Sequence, residues 1–382
     1  MKKKLLLLLL VLFLLSILVP TASAEESSAE KPILPEEYST LLDAIPEKLR
    51  DLLPPAFFST DGEEVVSGVM EASDFSYLLR TVLSMVGLRI GSCAKLLASV
   101  AGLLLLSSVV SAIKGSFQNG SIGGAFSFLS SLILLLALLR VGYVGIESVS
   151  AYFESLRKIT VALIPLMGVL YTMGGNVTAA VASASALSVF LAILEELVAR
   201  SIVPFCGICL AFATIRALDP GIHLGTLSDT VKKNYTTLLA FLMMLLSTML
   251  AAQSLLGSAK DGIAMRSAKF AAGSLIPVVG GSVAELLKTV TSGVSYLRST
   301  VGICAILLVL LLLLPTLIDL LLVRLIWQIA ASLADLLSCE GEKKLLDEMA
   351  SLCGYLIAAV AICSSVVILA LSLLIHCASA LG

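Results

Sequence analysis

Histidine is nearly missing from this chain: only His223 and His376 occur in 382 residues, too far apart in sequence to form a metal-spaced cluster. Neither a Walker phosphate loop nor a dinucleotide-binding glycine pattern is present. Catalysis therefore has little to work with, and no catalytic residue, metal site or cofactor is expected. Charge is scarce too. Charged residues make up 14% of the chain and leave a net charge of −2, without the basic field that nucleic acid requires. Of eight cysteines only Cys206 and Cys209 show a redox-like spacing, and they sit in an apolar run without a thioredoxin-like strand pattern. They read as small buried side chains. The segment before residue 90 holds no cysteine at all, which argues against a disulfide scaffold there.

Hydrocarbon fills the space instead. Hydrophobic residues are 58% of the chain and the mean hydropathy is +1.05, the composition of an integral membrane protein. Only helices or closed barrels satisfy every backbone group in lipid. Long Leu/Ala/Val runs without two-residue alternation choose helices, so the expected fold is an all-α polytopic membrane protein. Its first 24 residues have the order of a cleaved signal peptide: Lys2 to Lys4, an apolar stretch from Leu5 to Val19, and Ala22-Ser23-Ala24 as cleavage site. The alternative is an uncleaved anchor. Residues 25–90 form an extracytoplasmic segment in which Leu41, Leu42, Ile45, Leu49, Leu52 and Leu53, then Val65, Val66, Val69 and Met70, recur at helical spacing. Those amphipathic helices either rest on the membrane surface or dock a partner.

The membrane domain, 91–382, holds about eight spans, at 96–113, 122–139, 159–173, 177–194, 201–218, 238–256, 299–318 and 349–375, with another candidate helix at 320–337. Between the second and third, Glu154 and Lys158 stand four apart beside an apolar stripe, the pattern of an interfacial helix. With the mature N-terminus outside, the positive-inside rule gives this topology no support. Most of the discordant charge lies in "KDGIAMRSAKFAAGSLIPVVGGSVAELLKTV", Lys260 to Val290. Its apolar part is too short to span, and Pro277, Gly280 and Gly281 interrupt it, so a re-entrant or broken helix is expected. Similar Pro-x-x-Gly elements stand at Ile164 to Gly168 and Val203 to Gly207.

Three further patterns concern packing and polarity. Ala180, Ala184, Ser188 and Ala192 place small residues at every fourth position, a face for close helix contact. Arg324, Gln328, Ser332 and Asp335 form a polar stripe on 320–337, which either lines a conduit or carries a structural ion pair. Pro315 and Asp319 leave open that 320–337 turns away and lies flat on the interface. Glu195 and Glu196 with Arg200 read as an interfacial ion pair at a span end.

Lys260-Asp261-Gly262, Arg266, Ala268-Lys269-Phe270 and Pro277-Val278-Val279-Gly280-Gly281, followed by "GICAILLVLLLLLPTLIDLLLVRLIWQIAASLADLL", resemble the most characteristic part of the stage III sporulation protein AE family of endospore-forming bacteria. The layout of leader, short acidic segment and polytopic body is similar over the whole chain. The resemblance implies a mother-cell membrane component of the channel that joins mother cell and forespore. It also implies partners: a secretion-type ATPase (protein AA), small membrane proteins, the ring-forming proteins AG and AH, and indirectly forespore protein Q. The motif from Lys260 to Gly281 receives no role from the resemblance; its residues suit a pore-facing or partner-facing element. A stand-alone secondary transporter with broken helices and a non-conducting scaffold are the alternatives.

Overall fold

A computed structural model describes residues 35–59, 61–116, 121–173, 189, 193, 198, 200–218, 225–245, 248, 252 and 280–379. Among them there is no strand. Short helices α1 (Glu37–Asp43) and α2 (Glu47–Arg50), a 3-10 turn at Pro55–Phe58 and α3 (Gly62–Ser73) precede the long ones. These are α4 (Phe75–Ser116), α5 (Ser121–Met173), α6 (Arg200–Leu218), α7 (225–245), α8 (Gly280–Leu336) and α9 (Glu340–Ser379).

Helix α8 is the axis of the bundle. From Cys304 to Leu314 every residue is buried, which is what a helix apolar on all sides requires. It packs against α4, α5 and α9, while α6 joins α9 and α5 from the far side. Polar contacts fix the registers. Arg89 pairs with Asp319 at 2.9 Å and Ser107 bonds Glu342 at 2.5 Å, so α4 runs parallel to α8. Asp335 pairs with Lys343 at 2.6 Å and the Arg324 guanidinium lies against Gly354, so α8 and α9 form an antiparallel hairpin. On α5, Gly145 faces Val323 and Tyr152 bonds Ser364 at 2.5 Å, placing it antiparallel to α8. The α8–α9 turn closes as a Schellman motif: Cys339 N–H donates to the Ala334 carbonyl (2.9 Å) and Ser338 N–H to that of Asp335 (3.1 Å). Ser338 takes the left-handed position, φ 59°, that glycine usually fills.

Four helices are long and apolar enough to cross a membrane among the described residues: the stretches Ser76–Val110, Arg200–Leu218, Thr300–Leu336 and Glu340–Ser372. Helix continuity revises the list of separate spans. Segments 122–139 and 159–173 both lie on α5, whose 53 residues run unbroken through Pro165. Their centres are about 53 Å apart at 1.5 Å per residue, too far for two crossings of one bilayer by a single helix. Hydropathy divides them at Arg140 and Glu147, but exposed charges do not end a helix, and the Glu154–Lys158 pair (2.9 Å) supports it. Segment 320–337 likewise does not turn away, because α8 continues through Pro315 and Asp319 is engaged by Arg89. Two of the Pro-x-x-Gly elements therefore sit inside unbroken helices, α5 and α6. Of the third, Gly280 and Gly281 are the first residues of α8; Lys260 to Val279, Pro277 among them, lie outside the described residues, and with them the expected break.

The N-terminal stripe is covered by protein, contrary to both expectations for it. Leu41, Ile45, Leu49, Leu53, Phe57, Val65 and Val69 are buried in one cluster with α5 and α8. Tyr38 ties the layer together by donating to the Phe57 carbonyl at 3.0 Å, with Cys304 of α8 beside its oxygen at 4.0 Å. Gly68 lets α3 touch the 3-10 turn, since a Cβ there would lie 2.7 Å from Phe57 N. The domain boundary at residue 90 falls inside α4, which carries this layer into the bundle without interruption. Residues 1–24, expected to be a signal peptide, and the expected small-residue face Ala180, Ala184, Ser188 and Ala192 lie outside the described residues, as do Glu195 and Glu196.

Candidate functional site

Ionisable groups gather where α6 ends, α7 begins and α8 turns into α9. Lys232 of α7 has no exposed side-chain surface, and its Nζ lies 2.7 Å from Glu348 Oε1 of α9, itself 5% exposed. The remaining ammonium protons reach Asp229 Oδ1 (3.1 Å) and Ser351 Oγ (3.3 Å), which completes the three donors of a lysine. Glu348 accepts a further bond from Ser228 Oγ at 2.7 Å, and Arg216 of α6 stands 3.9 Å from its other oxygen. The Tyr355 ring lies 5.8 Å from Nζ. A buried ion pair persists only when its remaining hydrogen-bonding capacity is met, and here it is.

Local sequence explains the convergence. Gly341 lets α9 start against α6, because a Cβ there would be 2.7 Å from the Ala217 carbonyl oxygen. The first turns of α9 bury Leu345, Leu346 and Met349, which carries Glu342 and Glu348 inward on the flanks of that apolar stripe. Glu342 reaches α4 and Glu348 reaches α7, so one helix end is tied to two separate elements. Chemically, a lysine held as an ammonium between two carboxylates has no lone pair for base or nucleophilic work. The cluster is a lock between helices.

The sequence-predicted stripe behaves differently from this cluster. Arg324 is half-buried against Gly354, whereas Gln328, Ser332 and Asp335 are exposed on the outer face of α8, away from the interior of this chain's bundle. Its ion pair is Asp335 with Lys343, across the turn, and Ser332 donates back to the Gln328 carbonyl at 3.0 Å. Cys206 and Cys209 are free, fully buried thiols: Cys206 packs in the apolar cluster, while Cys209 lies beside the Lys232–Glu348 pair and within hydrogen-bonding reach of Ser228. Lys232, Glu348 and the Ser107–Glu342 bond were missed because span-end charges read as surface and their partners are over a hundred residues away. The one legible signal was Glu342 in i, i+3, i+4, i+7 spacing with Leu345, Leu346 and Met349.

Comparison with known proteins bears on what such a bundle belongs to. Stage III sporulation protein AE of Bacillus subtilis (strain 168) is 25% identical over 303 residues, covering 79% of this chain and 73% of that one. No solved structure matches. The family model described as stage III sporulation protein AE matches residues 61–379, which takes in every long helix above, and the chain belongs to that family.

Proposed function

We propose that the chain is a membrane-platform subunit of the transport channel between mother cell and forespore, seated in the mother-cell membrane that surrounds the forespore. The observation that carries this reading is helix length. Helix α8 has 57 residues, about 86 Å, against a hydrocarbon layer of about 30 Å, so the bundle extends well past any one membrane as a stiff body. A platform for a larger apparatus needs such a projection. Membership in a sporulation family supports the setting. Its partners on this reading are a secretion-type ATPase, the small membrane proteins encoded with it and the ring-forming proteins AG and AH, with forespore protein Q reached through them.

Deleting the chain in a spore-forming host and restoring it with an affinity-tagged copy tests this. The expected result is spore loss with arrest after engulfment, rescue by the tagged copy, and recovery of the ATPase and ring proteins with the tag from crosslinked cells. Recovery of the chain free of those proteins, with normal forespore development in the deletion, would refute the platform role. The Lys232–Glu348 pair favours a second reading, a secondary transporter, since buried ionisable groups mark transport sites in many bundles. Solute uptake by the chain alone in proteoliposomes distinguishes it.

A further inference from the structure

Arg89, Arg216, Lys232 and Lys343, the cations that join helices around α8 and α9, each have a carboxylate 2.6 to 3.9 Å away. Arg324 differs. Among the described residues its guanidinium makes neither an ion pair nor a hydrogen bond, although it is half-buried on a helix long and apolar enough to cross a membrane. It is nonetheless held in place. A Cβ on Gly354 of α9 would lie 2.9 Å from Nη1 and 3.1 Å from Cζ, so the absent side chain at 354 is the space that the guanidinium fills. Gln328, one turn further along α8, is exposed beside it.

From Val301 to Val323 α8 carries one charged side chain, Asp319, which is turned to Arg89 of α4; from Met349 to Ser372 α9 carries none. Each run is about 35 Å long, enough to cross hydrocarbon of about 30 Å. Arg324 ends the run on α8, on the side of the α8–α9 turn. Next to it the surface is apolar and open, with Leu321 and Leu325 36% and 48% exposed on α8 and Ala358 and Ala361 partly exposed on α9. This face belongs to α8 and α9 alone, because α5 exposes Glu147, Glu154 and Lys158 along its own side. We propose that it is a phospholipid site, in which Arg324 takes the phosphate as a bidentate pair, Gln328 adds a donor, and the acyl chains lie along Leu321, Ala358 and Ala361. A phosphate at the head of acyl chains satisfies the guanidinium and covers the apolar face at once. A free phosphate or a lone carboxylate would satisfy only the first. The site requires only that α8 and α9 cross a bilayer, and so stands apart from the channel reading.

Native mass spectrometry tests this on the full chain, purified in mild detergent and titrated with dioleoylphosphatidylglycerol or with dioleoylglycerol, which has the same chains and no phosphate. Wild type should bind the first phosphatidylglycerol roughly tenfold more tightly than Arg324→Gln does, the factor expected for hydrogen bonds to a charged group. Dioleoylglycerol should bind both alike. Gly354→Ala keeps the guanidinium but fills its cradle, and it should weaken the same adduct; it also serves where Arg324→Gln does not fold. Equal phosphatidylglycerol binding by wild type and the variants overturns the site. Displacement of the lipid by millimolar inorganic phosphate overturns it too, since the acyl chains would then contribute nothing. So does capture of another protein, in place of lipid, by a photoreactive residue placed at 325 in sporulating cells, which would assign the guanidinium to a partner's carboxylate.

Discussion

Separating the Lys232–Glu348 pair should destabilise the protein far more than removing it whole. Lys232 is fully enclosed and Glu348 nearly so, so either partner left alone is a charge without adequate solvation. Removing one member of such a pair costs about 3–5 kcal/mol. Glu348→Leu belongs at the upper end, because Lys232 would retain only Ser351 and Asp229, the latter 73% exposed. Lys232→Met belongs at the lower end, because Glu348 keeps Ser228 and has the Arg216 guanidinium 3.9 Å away to move toward it. The double variant exchanges two charges for two apolar side chains of similar length and should lie within about 1 kcal/mol of the wild type. SDS-induced unfolding in mixed micelles, followed by the reactivity of the buried Cys206 and Cys209, reads all four corners of the cycle. A coupling energy above about 2 kcal/mol is expected. Additive losses, with the double variant the least stable of the four, would show that the two side chains act independently.

Gly68→Ala puts a methyl group 2.7 Å from backbone that cannot swing away, and should loosen the N-terminal layer by about 1–3 kcal/mol, seen as faster proteolysis ahead of residue 75. Tyr38→Phe orphans the buried Phe57 carbonyl, for a loss of about 1 kcal/mol in the same unfolding assay. Burial pushes the Tyr38 phenol well above its ordinary value, so its contribution is complete below about pH 10 and declines above it, where the unfolded chain releases the proton; wild type should lose more stability there than Tyr38→Phe. Ser338→Gly relieves a left-handed residue and should raise stability by about 1 kcal/mol; destabilisation would mean the serine side chain makes a contact worth more than the strain. Changing Cys206 and Cys209 to Ala should leave spore yield unchanged, whereas loss of spores at normal protein levels would assign them chemistry.

Helix class and the buried faces of α1 to α3 were legible because each rests on local periodicity: Leu41, Ile45, Leu49 and Leu53 repeat every four residues and all four are buried. What covered them was not, since an apolar stripe meets lipid, a partner or another helix equally well. Span counting failed on α5 for a related reason. Hydropathy reports where charge interrupts a segment, while helix continuity depends on backbone bonding that Arg140 and Glu147 leave intact. On α8 the stripe from Gln328 to Asp335 was legible, but its direction depended on Asp319 engaging Arg89, a contact 230 residues apart in sequence.

The polar contacts acquire a common purpose when set against the composition of the helices they join. Between Ile306 and Leu314 every residue of α8 is Leu, Ile or Val, a surface that α4, α5 or α9 could pack against at several offsets with little difference in area buried. Each interface is instead pinned by polar contacts: Arg89–Asp319 for α4 with α8, Tyr152–Ser364 for α5 with α9, Asp335–Lys343 for α8 with α9, and Lys232–Glu348 with its Ser228 and Ser351 bonds for α7 with α9. A one-turn slip of about 5.4 Å would keep the leucines buried and break the pair. Register selection is thus a hypothesis separate from stability, and the Lys232→Met/Glu348→Leu variant separates them. It should unfold like the wild type yet form disulfides between α7 and α9 at offset positions when cysteines are placed one turn away, at 236 and 351. Wild-type pairing alone in that variant would show that apolar shape by itself sets the register.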